Sequence, residues 1–295
     1  MKILILGASG MLGHYFVENY ADKHEVTAVV QNRVSSYPWF TGFSKCRFID
    51  EVNVLDLKKL EGILKNAAPD VVINATGVTK QRILHADPSP AIELNALLPH
   101  RLATMCEGIG ARLILFGTDC VFDGSLGNYV ETDSTNAGDT YGKTKTLGEV
   151  AYKQNVLTLR KSTIGLENGR VHGLVEWYLA QNEPIKGFNQ AIYSGLISAE
   201  LVRLVENILI NHPKLSGLYH VASEPISKFD LLSRLNVALG GETVDVQQEN
   251  GFKCDRSLDA TKFTEAVGYT APSWDIMIEE LAAEIRHKKR VSSRK

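Results

Sequence analysis

Apolar residues in the first half of the chain alternate between short unbroken runs and longer stretches with helical spacing. Ile3–Leu6, Glu25–Val30, Val71–Ile73, Arg112–Phe116 and Val156–Leu159 read as strands. An unbroken apolar run suits a strand covered on both faces. Met11–Tyr20, Leu57–Lys65, Pro90–Gly108 and Thr140–Lys153 read as the intervening helices. Asp56 stands where an N-cap is expected, and Gly108 and Gly110 stop the third helix. This alternation predicts a doubly wound α/β fold, a parallel sheet with helices on both faces and right-handed crossovers.

The rhythm changes after Arg160. Helices are predicted at Gly173–Ala180, Ala199–Leu209, Lys228–Leu239 and Ser273–His287, joined by longer irregular stretches. The reading is a nucleotide-type α/β domain over 1–160, to which the chain is free to return later. A smaller α+β lobe follows over 161–285, then a basic tail over 286–295. Trp177 and Trp274 fall on amphipathic patterns and are expected in the core. The tail holds six Lys and Arg and no acid, and reads as a solvated terminus.

Composition narrows the partners. With 32 Lys+Arg against 34 Asp+Glu the net charge is −2, which gives no general attraction for nucleic acid. No apolar run approaches the roughly 18–20 residues that span a bilayer, and the first apolar stretch is shorter than the about 7–15 of a secretory signal. The cysteines Cys46, Cys106, Cys120 and Cys254 form no CxxC and no disulfide framework. A cytoplasmic, membrane-free location is the expectation. The histidines show no ligand spacing, so no metal site is expected.

Gly7-Ala8-Ser9-Gly10-Met11-Leu12-Gly13 follows the first strand and opens the first helix. That context makes it a dinucleotide loop of the Rossmann type. Gly7 permits the tight turn, Gly10 the approach of a pyrophosphate, and Gly13 close packing of helix on sheet. The helix N-terminus then offers unpaired N–H groups to phosphate. After the second strand comes Gln31-Asn32-Arg33, without the acid that usually bonds the ribose 2′-hydroxyl of NAD. Arg33 suits a 2′-phosphate, or is an ordinary surface arginine. NADPH is the expected cofactor, with NADH as the alternative.

Tyr141 and Lys145 stand at i and i+4 on one predicted helix and so share a face. Thr118 lies just past the strand Arg112–Phe116, at the carboxyl end where open α/β sheets bind ligands. Together they suit ketone reduction. Tyr141 donates a proton to the developing alkoxide, Lys145 favours the phenolate and can bond the nicotinamide ribose, and Thr118 holds the carbonyl oxygen.

With these residues the chain resembles the extended short-chain dehydrogenases/reductases, and within them the dTDP-4-dehydrorhamnose reductases. The likeness rests on the glycine loop, Pro69–Ala75, Thr118–Gly124, Glu131-Thr132-Asp133 and Tyr141–Lys145. It continues, more thinly, through Arg160, Gln190, Gly217–Val221 and Ser257-Leu258-Asp259. It implies reduction of a 4-keto-6-deoxy nucleotide sugar for surface-polysaccharide precursors, with a homodimer left open. By the same likeness Ser9, Met11 and Leu12 join the glycines at the cofactor. Asn53, ending the third strand, would lie near adenine, and Thr76 and Gly77 would line the cofactor. Asp119, Cys120, Val121, Phe122, Gln190 and Arg256 would meet the substrate.

Departures from the family pattern cluster on the substrate side. Cys120 replaces a usual aromatic, and Thr163 stands where tryptophan is common. Cys120 also replaces the glutamate of the related 4,6-dehydratases, which argues against dehydration. Three alternatives stay open. One is a reductase of a UDP-linked N-acetylamino sugar. Another is an epimerase-reductase resembling GDP-fucose synthase, with Cys120 and His172 as its acid/base pair. The third is a non-catalytic regulatory subunit of the methionine adenosyltransferase type.

Overall fold

The computed structural model describes residues 1–83, 87–168, 173–241 and 244–292. In chain order its first elements are β1 (Lys2–Leu6), α1 (Met11–Tyr20), β2 (Glu25–Val29), β3 (Arg47–Ile49), α2 (Leu57–Ala67) and β4 (Val71–Asn74). Next come α3 (Lys80–Ile83), α4 (Ser89–Ala91), a π-helical stretch (Ile92–Leu97), α5 (Leu98–Gly108), β5 (Arg112–Phe116), α6 (Thr140–Leu147) and β6 (Val156–Lys161). The remainder is β7 (Thr163–Ile164), α7 (Leu174–Leu179), β8 (Ile185–Tyr193), β9 (Leu196–Ile197), α8 (Ser198–Asn211), β10 (Gly217–Val221), β11 (Ile226–Ser227), α9 (Lys228–Ala238), β12 (Val246–Asp255), α10 (Thr261–Val267) and α11 (Trp274–Ser292).

Seven strands form one sheet in the order β10-β6-β5-β4-β1-β2-β3. The pairings from β6 through β3 are all parallel. This is a Rossmann-type doubly wound α/β architecture. The strand order reverses between β1 and β4, which pair Ile3 with Val71 and Leu6 with Asn74. Ligands of such sheets bind beyond the carboxyl ends at this switch point. The Gly7 loop follows β1 and Thr76 follows β4, so both stand there. Leu4, Leu6, Val72, Leu113 and Leu115 are buried with Leu60, Leu64, Leu98 and Leu102 in one core. Burying each such side chain contributes about 1.5–3 kcal/mol. Asp56 caps α2 by accepting from the Lys59 N–H at 3.0 Å.

Four expectations need correction. The stretch expected as one helix over Pro90–Gly108 is interrupted by the π-helical turn. Pro99 has no N–H for the Asn95 carbonyl four residues back, and its ring crowds that oxygen, so the helix widens there. The helix expected to run to Lys153 ends at Leu147, where the Gly148 N–H turns back to the carbonyls of Thr144 and Lys145. The third strand ends at Ile49, not Asn53. Trp177 is 40% exposed rather than in the core, whereas Trp274 is buried and donates to the Glu224 carbonyl at 2.7 Å.

The chain divides into two compact units. One comprises Met1–Val121, Thr135–Arg160 and Val205–Tyr219; the other comprises Phe122–Ser134, Lys161–Leu204 and His220–Lys295. The second unit contains a three-stranded sheet, β11-β8-β12. β8 pairs antiparallel with β11 and parallel with β12. Among the described residues no helix is long and apolar enough to cross a membrane.

Candidate active site

The loop after β1 is shaped by its glycines. Gly7 has φ +75°, and a Cβ there would lie 2.9 Å from the Ala75 carbonyl carbon and oxygen. A Cβ on Gly13 would collide with the Gly7 carbonyl, so α1 can sit against the turn only with glycine at that position. Gly10 is the N-cap of α1 and supplies no side-chain cap. The first-turn N–H groups of Met11, Leu12 and Gly13 therefore lack the side-chain oxygen that a Ser or Asp cap would offer them. A bare helix start beside a tight glycine turn fits a pyrophosphate. Ser9 is half-buried in the same loop.

Across the switch point, Thr76 donates from Oγ1 to Asn74 Oδ1 at 2.5 Å and from its N–H at 3.1 Å. Gly77 is exposed. Asn95, which the sequence reading passed over, is 2% exposed. It clamps the loop that holds Gly77, accepting from the Val78 N–H at 2.8 Å and donating to the Val78 carbonyl at 2.9 Å.

The structure brings Thr118, Tyr141 and Lys145 together within the first unit. Thr118 is buried just past β5. Its hydroxyl donates to Asp119 Oδ1 at 3.1 Å and accepts from the Cys120 N–H at 3.2 Å, beside the Tyr141 phenol. Asp139 caps α6 through the Gly142 N–H at 2.8 Å and holds Lys80 Nζ at 2.7 Å. The cap fixes the helical turn that carries Tyr141. Gly142 completes the approach, because a Cβ there would collide with the Cys120 carbonyl and Ala137.

Burial pushes the Tyr141 phenol well above its ordinary value. The negative charges that Cys120, Asp119 and Asp139 can carry push it the same way, while the Thr118 hydrogen bond opposes them. The phenol is therefore protonated at neutral pH. Burial lowers Lys145 to about 8, and Glu149 pulls it back upward. Lys145 Nζ donates to the Phe116 carbonyl at 2.6 Å. That carbonyl is a contact the sequence did not suggest.

The other predicted residues are less concentrated. Arg33 is 73% exposed and pairs with Glu51 at 3.0 Å. Asn53 is exposed in the turn before α2, where its side chain accepts from the Leu55 N–H at 3.0 Å. Asp119 is buried and Cys120 half-buried. Val121 and Phe122 are fully buried: the Val121 carbonyl accepts from the N–H groups of Asn136 and Ala137, and the Phe122 ring stacks on Tyr129 at 4.0 Å. In the second unit Gln190 is exposed on β8, and Arg256 donates from Nε to the Phe122 carbonyl at 2.8 Å. His172, the second member of the epimerase pair, lies outside the described residues.

A family model described as RmlD substrate binding domain matches residues 1–286. The chain is 26% identical to a dTDP-4-dehydrorhamnose reductase of Aggregatibacter actinomycetemcomitans, over 96% of this chain and 98% of that protein. It is 29% identical to methionine adenosyltransferase 2 subunit beta of Mus musculus, over 59% of this chain and 49% of that one. The crystal structure of dTDP-4-dehydrorhamnose reductase from Bacillus anthracis in complex with NADP superposes with a TM-score of 0.77 at 19% identity, covering 96% of this chain and 99% of that one. The match over nearly the whole length, on a fold with the glycine cradle and the Thr118–Tyr141–Lys145 cluster in place, establishes that this chain belongs to the RmlD substrate binding domain family.

Proposed function

We infer that the protein is an NADPH-dependent reductase of the 4-keto group of a nucleotide-linked 6-deoxysugar, of the dTDP-4-dehydrorhamnose reductase type. The observation that carries this reading is a half-buried, protonated Tyr141 phenol beside the Thr118 hydroxyl and one helical turn from Lys145. Full-length similarity to reductases of that name supports it. The glycine loop, Thr76, Lys145 and Arg33 would hold NADPH, with NADH as the weaker alternative. When bound, the cofactor supplies the hydride.

Every other step belongs to the chain. Thr118 positions the carbonyl oxygen by a hydrogen bond. Tyr141 hands its proton to that oxygen as negative charge develops there. Loss of that proton is made easier by the Thr118 bond and by a nearby ammonium, which together stabilise the phenolate. Asp139 and Gly142 keep the phenol in place. Arg256 offers positive charge suited to a sugar-nucleotide diphosphate.

The test is incubation with dTDP-4-dehydrorhamnose and NADPH, following nicotinamide absorbance and the sugar product. Consumption of both with formation of the 4-hydroxy sugar is expected. NADPH binding without turnover would instead favour a regulatory role like that of the methionine adenosyltransferase subunit.

A further inference from the structure

A small cavity in the first unit is lined by Asn74, Thr76, Phe116, Lys145, Glu149 and Thr158. Its one carboxylate is tightly held. Arg160 donates to Glu149 from Nε to Oε1 at 2.6 Å and from Nη2 to Oε2 at 2.7 Å. The two side chains are only 5% and 9% exposed. This is a bidentate pair out of water, the geometry in which an arginine fixes a carboxylate most firmly. Gly117 makes room for it, since a Cβ there would lie 3.0 Å from Arg160 Cγ and 3.4 Å from Glu149 Oε1. The ammonium of Lys145 is anchored on the Phe116 carbonyl, one residue before Gly117.

We propose that Glu149, locked by Arg160, is a positioning residue that keeps Lys145 in its ammonium form for the reaction. The inference rests on the catalytic role given to Lys145 above. A neutral carbonyl orients the amine, but a nearby negative charge favours its ammonium form more strongly in a half-buried site. Lys145 has Tyr141 one turn earlier and Glu149 just past α6; Cys120, Asp119 and Asp139 act on Tyr141, while Glu149 lines the same cavity as Lys145. Of these groups Glu149 is the one whose charge acts on Lys145, raising it against the effect of burial. Arg160 holds that carboxylate still through its two hydrogen bonds. The pair also explains why a buried arginine is tolerated: it enters the interior with its charge already matched.

The test reads Lys145 directly in the cofactor-free protein, by competitive acetylation with acetic anhydride over a pH series and peptide mass spectrometry. Wild type should label with a midpoint near pH 8. Glu149→Gln removes the charge and keeps the shape, and should move the midpoint down by about one pH unit or more. The alkaline limb of kcat/KM should move with it, while activity on the acid side of both midpoints is retained. An unchanged midpoint overturns the proposal, whether or not activity falls evenly at all pH values. If Glu149→Gln alone does not fold, combining it with Arg160→Met removes the stranded cation, and the same downward movement is required. Wild-type turnover by Lys145→Ala would remove the catalytic role of Lys145, while a midpoint moved by Glu149→Gln would still establish the electrostatic coupling.

Discussion

Among the described residues, the first unit contains two arginine–carboxylate pairs of the same chemistry and opposite setting. Arg160–Glu149 is bidentate, with both side chains under a tenth exposed. Arg33–Glu51 makes a contact of 3.0 Å with both partners mostly in water, at 73% and 60% exposed. Water and salt screen the second pair, so it holds its partners weakly. The first has no such screen, and losing either member would leave a buried charge uncompensated. The difference separates two uses of an arginine. In the proposed reading the buried pair sets charge where bonds are made. The exposed pair can exchange its carboxylate for a ligand's phosphate at small expense.

Tyr141→Phe should lower turnover by about 10²–10⁴-fold, with NADPH binding retained in a fluorescence titration. A variant that turns over normally would remove Tyr141 from the chemistry. Arg33→Ala should weaken NADPH by about tenfold and leave NADH nearly unchanged, because only the phosphorylated ribose offers Arg33 a partner. Glu51→Gln, which frees Arg33, should shift the same titration slightly the other way. Equal effects on both nucleotides would show that the exposed pair does not select the cofactor.

The pH dependence follows from Lys145. Its value in the folded protein, about 8, lies below the ordinary 10.5. kcat/KM should fall about tenfold per pH unit above that point as the ammonium is lost, and Lys145→Arg should abolish this limb. The sign for stability is opposite. Between about 8 and 10.5 the unfolded chain binds the proton and the folded one does not, so this lysine's contribution to stability rises with pH across that window. Thermal unfolding of wild type and Lys145→Met in that range checks it. The smallest expected effect is none: the keto-sugar incubated with enzyme in D₂O without NADPH should gain no deuterium beside the carbonyl. Rapid uptake abolished by Cys120→Ser would make epimerisation part of the reaction.

Much of this was legible where chemistry is local. Gly7, Gly10 and Gly13 announce a turn into a helix, Asp56 announces its cap, and Tyr141 and Lys145 share a face by spacing alone. What needs the tertiary fold did not show. Glu149 and Arg160 are eleven residues apart, flanking the start of a strand, and only the β5–β6 pairing with Gly117 reveals them as a pair. β8 and β12 passed as irregular because their polar, partly exposed residues carry no clean alternation. Pro90–Gly108 reads as one helix although Pro99 lacks the N–H to continue it, and the consequence for Asn95 depends on the loop at Val78.

The central claim is that this chain reduces a sugar-nucleotide ketone with hydride from its own bound cofactor. The most direct test uses NADPH carrying deuterium at both positions of nicotinamide C4 with dTDP-4-dehydrorhamnose, reading the isolated sugar by mass spectrometry and NMR. The predicted product carries one deuterium at sugar C4, and Tyr141→Phe forms it far more slowly. An unlabelled product, or no product from a protein that binds NADPH, would contradict the claim.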